Sequence, residues 1–288
     1  MKPRACVLKT NGTNCERETA FAFNLVGGQG EIVHMNSLKK GYDPVKNEKV
    51  SLDDFYILAI PGGFSYGDYI KAGIIQAQDL RESLGDQVQK FIDDGKLIIG
   101  ICNGFQVLAK AGFLPMLDGE KDQTVTLTYN DSGRYENRWV KLVSYNNKCV
   151  WTKGIRQIDL PGAHAEGKFV APEDTIKKLF DQDLVVFQYA DMYGTPTMKF
   201  PAIPNASLES IAGICDPTGR IFGLMPHPER YNHPKNHHLA SLQEILARDY
   251  VDWSDPSPAM IERMMIAGEI PETGQGLKIF QNAVEYFK

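Results

Sequence analysis

The sequence predicts an α/β fold: a three-layer α/β/α sandwich with a mostly parallel central sheet, antiparallel additions and a C-terminal helical insertion. Three observations carry this reading. Short apolar runs closed by Gly or Pro alternate with helical periodicity from Arg4 to Ala111. Strand-like runs separated by polar turns then follow one another from Gln123. After Tyr231 the alternation stops, and His, Pro and Asp interrupt shorter helical stretches.

Residues 4–9 read as a strand, 15–26 as a helix with apolar positions every three to four residues, and 31–35 as a second strand. Residues 55–60 form an apolar run that ends at Pro61-Gly62-Gly63. Residues 86–93 read as a helix closed by Gly95, 96–101 as a buried strand, and 102–111 as a helix with Phe105, Leu108 and Ala109 inward. Residues 123–129, 138–144 and 184–189 alternate as antiparallel additions to the sheet, and 210–216 and 220–225 form a hairpin across Pro217-Thr218-Gly219. Residues 231–275 form an apparent insertion with helical pieces at 239–251 and 259–267. A last amphipathic helix over 277–287 is expected to cover its own core, so residues 1–288 are taken as one domain.

Composition narrows the function. Of 288 residues, 43% are apolar and 23% charged, with 26 Gly and 16 Pro, so the chain is neither disordered nor fibrous. Lys and Arg number 31 against 36 Asp and Glu, a net charge of −5 with no long run of one sign. A nucleic acid is therefore not an expected partner. No apolar run approaches the roughly 18 residues that span a bilayer. No secretory signal stands at the N-terminus, so no membrane is expected and a cytoplasmic location is. The five cysteines are scattered, without a Cys-x-x-Cys pair, and read as reduced thiols.

Gly100-Ile101-Cys102-Asn103-Gly104 follows a buried strand and opens a helix. Small flanking residues allow a strained turn that lifts the central side chain clear of the sheet. The helix N-terminus favours negative charge on its sulfur, as a nucleophile requires. Such a nucleophile needs a base that can also protonate a leaving group. Of six histidines, only His227 stands at a strand end beside a carboxylate, in Pro226-His227-Pro228-Glu229. Residues two apart on extended backbone point to one side, so Glu229 orients the imidazole. Pro61-Gly62-Gly63-Phe64 ends another strand on the same sheet edge, so the amides of Gly63 and Asn103 are placed to form an oxyanion hole. No phosphate-binding loop of the G-x-x-x-x-G-K-[ST] type occurs.

With Gln106 completing Gly-x-Cys-x-Gly-x-Gln, and His-x-Glu far downstream, the chain resembles the class I glutamine amidotransferases. Pro61-Gly62-Gly63-Phe64-Ser65-Tyr66-Gly67-Asp68, Ala163-His164-Ala165-Glu166-Gly167 and Met225-Pro226-His227-Pro228-Glu229-Arg230 resemble the family of glutaminase subunits of phosphoribosylformylglycinamidine synthase. Asn11-Gly12-Thr13-Asn14-Cys15-Glu16 and Pro204-Asn205-Ala206-Ser207 fit the same family. Ala165 stands where that family often has Gly. The resemblance implies a flavodoxin-like fold and hydrolysis of L-glutamine through a Cys102 thioester. Ammonia would pass to a synthetase subunit that uses ATP and Mg, in purine biosynthesis, with a small third subunit bridging the two and no cofactor in this chain. It implies Gln106, Arg138 and Ser132 as glutamine-binding residues and His164 and Glu166 as site-edge or partner-contact residues.

Three other readings compete. A Cys-dependent α/β hydrolase keeps its acid and His well apart in sequence, unlike His-x-Glu. A non-catalytic regulatory module would be expected to have lost part of Cys102, His227 and Glu229. A metal site at His233, His237 and His238 with Glu244 has ligand-like spacing, but exposed histidines in a polar insertion are expected instead, with no metal.

Overall fold

A computed structural model of the chain describes residues 2–242 and 272–288. In chain order the elements are β1 (Arg4–Lys9), α1 (Glu16–Leu25), β2 (Gln29–His34), α2 (Met35–Lys40), β3 (Tyr42–Asp43), β4 (Glu48–Lys49), β5 (Ile57–Ile60), α3 (Ile74–Asp93), β6 (Leu97–Ile101) and α4 (Asn103–Lys110). They continue as β7 (Thr126–Thr128), β8 (Glu136–Val143), β9 (Gln157–His164), β10 (Lys168–Val170), α5 (Glu173–Asp181), β11 (Val185–Ala190), β12 (Ile211–Cys215), β13 (Ile221–Leu224) and α6 (Leu277–Glu285).

Nine strands form the main sheet in the order β2-β1-β5-β6-β13-β12-β11-β8-β9. The first five run parallel, and the remaining four alternate antiparallel. Burial explains the division. Every residue of β5, β6 and β13 is buried, as strands covered by helices on both faces must be. In β8, by contrast, buried positions are interspersed with half-buried ones.

The parallel half decides where chemistry can occur. The adjacent strands β1, β5, β6 and β13 all end at one sheet edge, where open α/β sheets bind ligands. That edge receives the loop carrying Asn14 and Cys15, the turn Gly62-Gly63, the Cys102 elbow and the segment reaching His227.

Several elements differ from expectation. The helix expected over 86–93 begins at Ile74, because the buried stripe Ala77, Leu80, Leu84, Val88 and Phe91 carries it through Gly85. Residues 123–129 do not join the main sheet: β7 pairs with β10 in a separate two-stranded sheet. The sequence reading had no strand at β9, which contains Pro161 and Gly162; as an edge strand whose one paired strand is β8, it tolerates the proline. The helical piece at 239–251 lies mostly, and that at 259–267 wholly, outside the described residues.

The C-terminal helix α6 packs on its own domain. Phe280 is fully buried and meets the Phe23 ring edge-on at 4.9 Å, and Asn282 Nδ2 donates to Trp151 O and Lys153 O, each at 2.9 Å. Among the described residues no helix is long and apolar enough to cross a membrane.

Phe280→Ala is expected to lower unfolding stability by about 3–5 kcal/mol, because it opens a cavity between α1 and α6. Urea denaturation followed by far-UV circular dichroism measures the loss.

Candidate active site

Cys102 sits between β6 and α4 with φ 51° and ψ −106°, a left-handed backbone that costs on the order of 1–3 kcal/mol for a non-glycine residue. The flanking glycines make it possible. A Cβ on Gly104 would lie 1.8 Å from Ile60 O, and one on Gly100 would lie 2.5 Å from Gly104 O. Bare backbone therefore lets the first turn of α4 press onto β5 and β6. Cys102 O accepts from the amides of Phe105 and Gln106 at 3.0 and 3.1 Å. The sulfur is thereby placed at the start of the helix, where the dipole favours negative charge.

His227 arrives from the end of β13, tied by its amide to Pro161 O at 2.8 Å. A Cβ on Gly62 would meet its ring at 2.6 Å, so glycine there leaves room for the imidazole. His227 Nδ1 donates to Glu229 Oε1 at 2.6 Å, and both side chains are buried. This bond sets the tautomer and leaves Nε2 as the working nitrogen. Burial opposes charge on the ring, but the Glu229 carboxylate and the Cys102 sulfur outweigh it and hold its pKa well above the ordinary value. Cys102, His227 and Glu229, read from the sequence as a candidate set, thus stand together in the fold.

The oxyanion candidates fit as well. Gly63 pairs with Thr13 in a two-residue bridge made by Phe64 N to Gly12 O at 2.9 Å and Asn14 N to Gly62 O at 3.4 Å. That pattern does not use the amide of Gly63 itself. Its φ of 145°, and the 2.7 Å that a Cβ would leave to Asn14 N, require glycine. The Asn103 amide lies at the first position of α4, where no intrahelical acceptor exists.

Gly63, Cys102 and His227 line a cleft of about 480 Å³, counting solvent at its mouth, which also takes in Gln106, His164 and Glu166; Asn103 and Glu229 are not among its lining residues. Gln106 is buried and held at both ends: Oε1 accepts from Asn103 Nδ2 at 2.9 Å, and Nε2 donates to Glu166 O at 2.5 Å. It braces the elbow against the 163–167 loop. Arg138 and Ser132 do not line the cleft. The Arg138 guanidinium pairs with Glu136 and lies over the Phe200 ring at 4.8 Å, beside a groove lined by Trp139 and Asp159. Ser132 is exposed, and its Oγ accepts from Arg134 N at 3.3 Å.

The cleft adds Cys15, Asp68, Tyr135 and Arg230, which sequence reasoning had not assigned to the site. Cys15 lies 4.0 Å from His227 Nδ1, and its sulfur accepts from Arg230 Nη2 at 3.2 Å. Burial pushes its pKa up despite the neighbouring imidazole, which disfavours the thiolate that a nucleophile needs. Its place in Asn14-Cys15-Glu16 was the available signal.

Cys15, His227 and Glu229 offer three ligand atoms within 4.8 Å of one another. The His227–Glu229 hydrogen bond and the Arg230 cation work against a metal there. The histidines after Tyr231 are differently placed. His233 Nδ1 and His237 Nδ1 accept from backbone amides. His237 is buried rather than exposed, edge-on to the Trp139 ring at 4.8 Å and 3.4 Å from Asp159 Oδ2. Glu244 lies outside the described residues.

The profile of the CobB/CobQ-like glutamine amidotransferase domain matches residues 2–287. The phosphoribosylformylglycinamidine synthase subunit PurQ of Dehalococcoides mccartyi is 42% identical over 288 residues, covering 99% of this chain and 98% of that protein. Its counterpart from Methanococcus maripaludis is 40% identical over 287 residues, covering 99% and 97%. Among solved structures, a chain in the structure of PurLQS from Thermotoga maritima is 31% identical, covers 100% of both chains and superposes with a TM-score of 0.66.

Glu229→Gln is expected to bring the His227 pKa down towards 6.5, as read by NMR titration of the ring, and to lower turnover by about a hundredfold or more. The stability contributed by the charged ring is fully present below its unfolded value near 6.5. It fades as pH rises through the raised folded value. His164 behaves oppositely: burial first, then His227, depress its pKa to about 4. Between pH 6.5 and 4 only the unfolded chain takes up this proton, so the His164 contribution should lower stability by about 3 kcal/mol as pH falls through that window. Urea midpoints of the native chain and of His164→Gln, measured across that window, test this; the variant's slope should be shallower.

Proposed function

The chain belongs to the CobB/CobQ-like glutamine amidotransferase family and is the glutaminase component of phosphoribosylformylglycinamidine synthase, and on that premise we propose how its residues release ammonia. The observation that carries the proposal is the strained Cys102 beside a histidine whose other nitrogen is held by a buried carboxylate.

His227 takes the Cys102 proton, and the sulfur attacks the side-chain carboxamide carbon of L-glutamine. The carbonyl oxygen gains negative charge, which the Gly63 and Asn103 amides hold. His227 then gives its proton to the departing nitrogen, releasing ammonia and leaving a γ-glutamyl thioester on Cys102. Water, deprotonated by His227, attacks that thioester; the C–S bond breaks, and glutamate leaves as the sulfur recovers its proton. Glu229 stays ionised throughout and steadies the imidazolium.

Ammonia generated in a cleft reaches its acceptor only if a second protein covers the route. The chain works in a complex with other subunits of the synthase. Within that complex we assign ATP and Mg to the synthetase subunit, which converts formylglycinamide ribonucleotide to the formylglycinamidine, and infer a small bridging subunit and a cytoplasmic location. We further take the chain as one amidotransferase domain with an insertion at 231–275.

Cys102→Ala should abolish glutamine-dependent synthesis in the reconstituted complex while leaving ammonia-dependent synthesis within about twofold of the native rate. Loss of both activities would contradict a purely glutaminase role.

A further inference from the structure

Two aromatic rings stand where the Cys102 cleft opens to solvent. Phe64 and Tyr135 both line the cleft, yet they are 45% and 49% exposed, which places them at its mouth rather than in its depth. They come from different segments: Phe64 follows the Gly62-Gly63 turn after β5, and Tyr135 precedes β8. Their ring centroids are 6.4 Å apart with planes inclined at 33°, so the two segments meet at the cleft through these rings.

The backbone around both rings is anchored. Phe64 N donates to Gly12 O at 2.9 Å, Phe64 O accepts from Gly67 N at 2.8 Å, and Tyr66 N donates to Asn11 O at 2.7 Å. On the other side, Asn130 Nδ2 donates to Arg134 O at 2.9 Å, and Glu136 pairs with His164 at the start of β8. The residues before and after Tyr135 are therefore fixed. A single exposed aromatic ring is ordinary on a protein surface. Two rings held together at the mouth of a cleft with a strained cysteine need a reason.

The pair also reaches the chemistry. Burial first, and then the Cys102 sulfur, raise the Tyr135 pKa, while His227 lowers it. The phenol thus stands close enough to nucleophile and base to feel both. Phe64 is the residue after Gly63, whose amide we assign to the oxyanion hole.

The reaction at this site makes a product that is easily lost. Ammonia is a nucleophile only while unprotonated, and bulk water at neutral pH turns it into ammonium. Apolar ring faces keep bulk water from the reacting groups and so prevent this leak. Resting on the glutaminase reading, we propose that Phe64 and Tyr135 form an aromatic seal at the mouth of the cleft, which sends ammonia towards the synthetase subunit rather than into solvent. Neither ring makes or breaks a bond. Their contribution is retention, and it comes from the ring of Tyr135, not from its hydroxyl.

The test counts glutamate formed per formylglycinamidine formed by the reconstituted complex at saturating synthetase subunit. A sealed cleft gives a ratio near one. Phe64→Ala and Tyr135→Ala should each raise it to about three or more. Ammonia-dependent synthesis by the same complexes should stay within about twofold of native. Tyr135→Phe and Phe64→Tyr keep a ring at each place and should hold the ratio near one. The two alanine variants lie on different segments, so either serves if the other does not fold.

A ratio that stays near one in the alanine variants would overturn the proposal. Equal loss of glutamate and product at an unchanged ratio would make the rings substrate contacts and overturn it too. A raised ratio in Tyr135→Phe would move the role to the hydroxyl, against the proposal. A native ratio well above one would overturn the seal and leave the glutaminase reading intact, whereas absence of any glutamate from the native complex would overturn that reading itself.

Discussion

The contact between Gly104 and the carbonyl of Ile60 determines where the reactive sulfur stands. With no side chain at position 104, α4 seats directly on the end of β5, and the chain must turn through the left-handed region at Cys102 to get there. The strain is local, but its support is global. β5, β6 and β13 are fully buried parallel strands, and their hydrogen-bond register fixes the spacing between Gly63, Cys102 and His227. A reactive thiol on a free loop would have no such reference. Here Gly63, Cys102 and His227 follow three adjacent strand ends, so the distances among them are set by the sheet.

Electrostatics then divides the labour in the cleft. The buried pair His227–Glu229 holds the imidazole pKa up, which suits a ring that carries charge in the proposed mechanism. Cys15 shows the contrast. It is a second thiol beside the same histidine, yet it sits in the segment after β1, its sulfur engaged by Arg230 and its pKa raised by burial. Both thiols are buried, but Cys102 stands on a strained backbone at the start of α4, whereas Cys15 does not. Elsewhere in the cleft Asp68 and Glu166 are anchored on the successive amides of Gly73 and Ala72.

Much of this was legible in the sequence, because the decisive features are local. Gly100 to Gly104 after an apolar run, and His227 two residues from Glu229, specify chemistry within a few residues of chain. The central parallel strands β5 and β6 announced themselves as continuous apolar runs. What sequence missed depends on long-range geometry. Arg138 and Ser132 lie near the start of β8, and only the pairing of that strand decides that they stand away from the cleft. Asp68 enters the site through a turn held by Gly73 and Asn103, with no pattern of its own. Strand β9 was hidden by Pro161 and Gly162, which read as a break until the strand is seen to lie at a sheet edge. The start of α3 was missed because Gly85 interrupts a stripe that the packed structure continues.

The central claim is that Cys102, and not the second thiol of this cleft, Cys15, is the nucleophile. Treating the assembled complex with a diazo-ketone analogue of glutamine, with and without excess L-glutamine, and mapping the adduct by peptide mass tests it most directly. The account predicts a single adduct on Cys102 that L-glutamine suppresses. An adduct on Cys15, or none on either thiol in the complete complex, would contradict it.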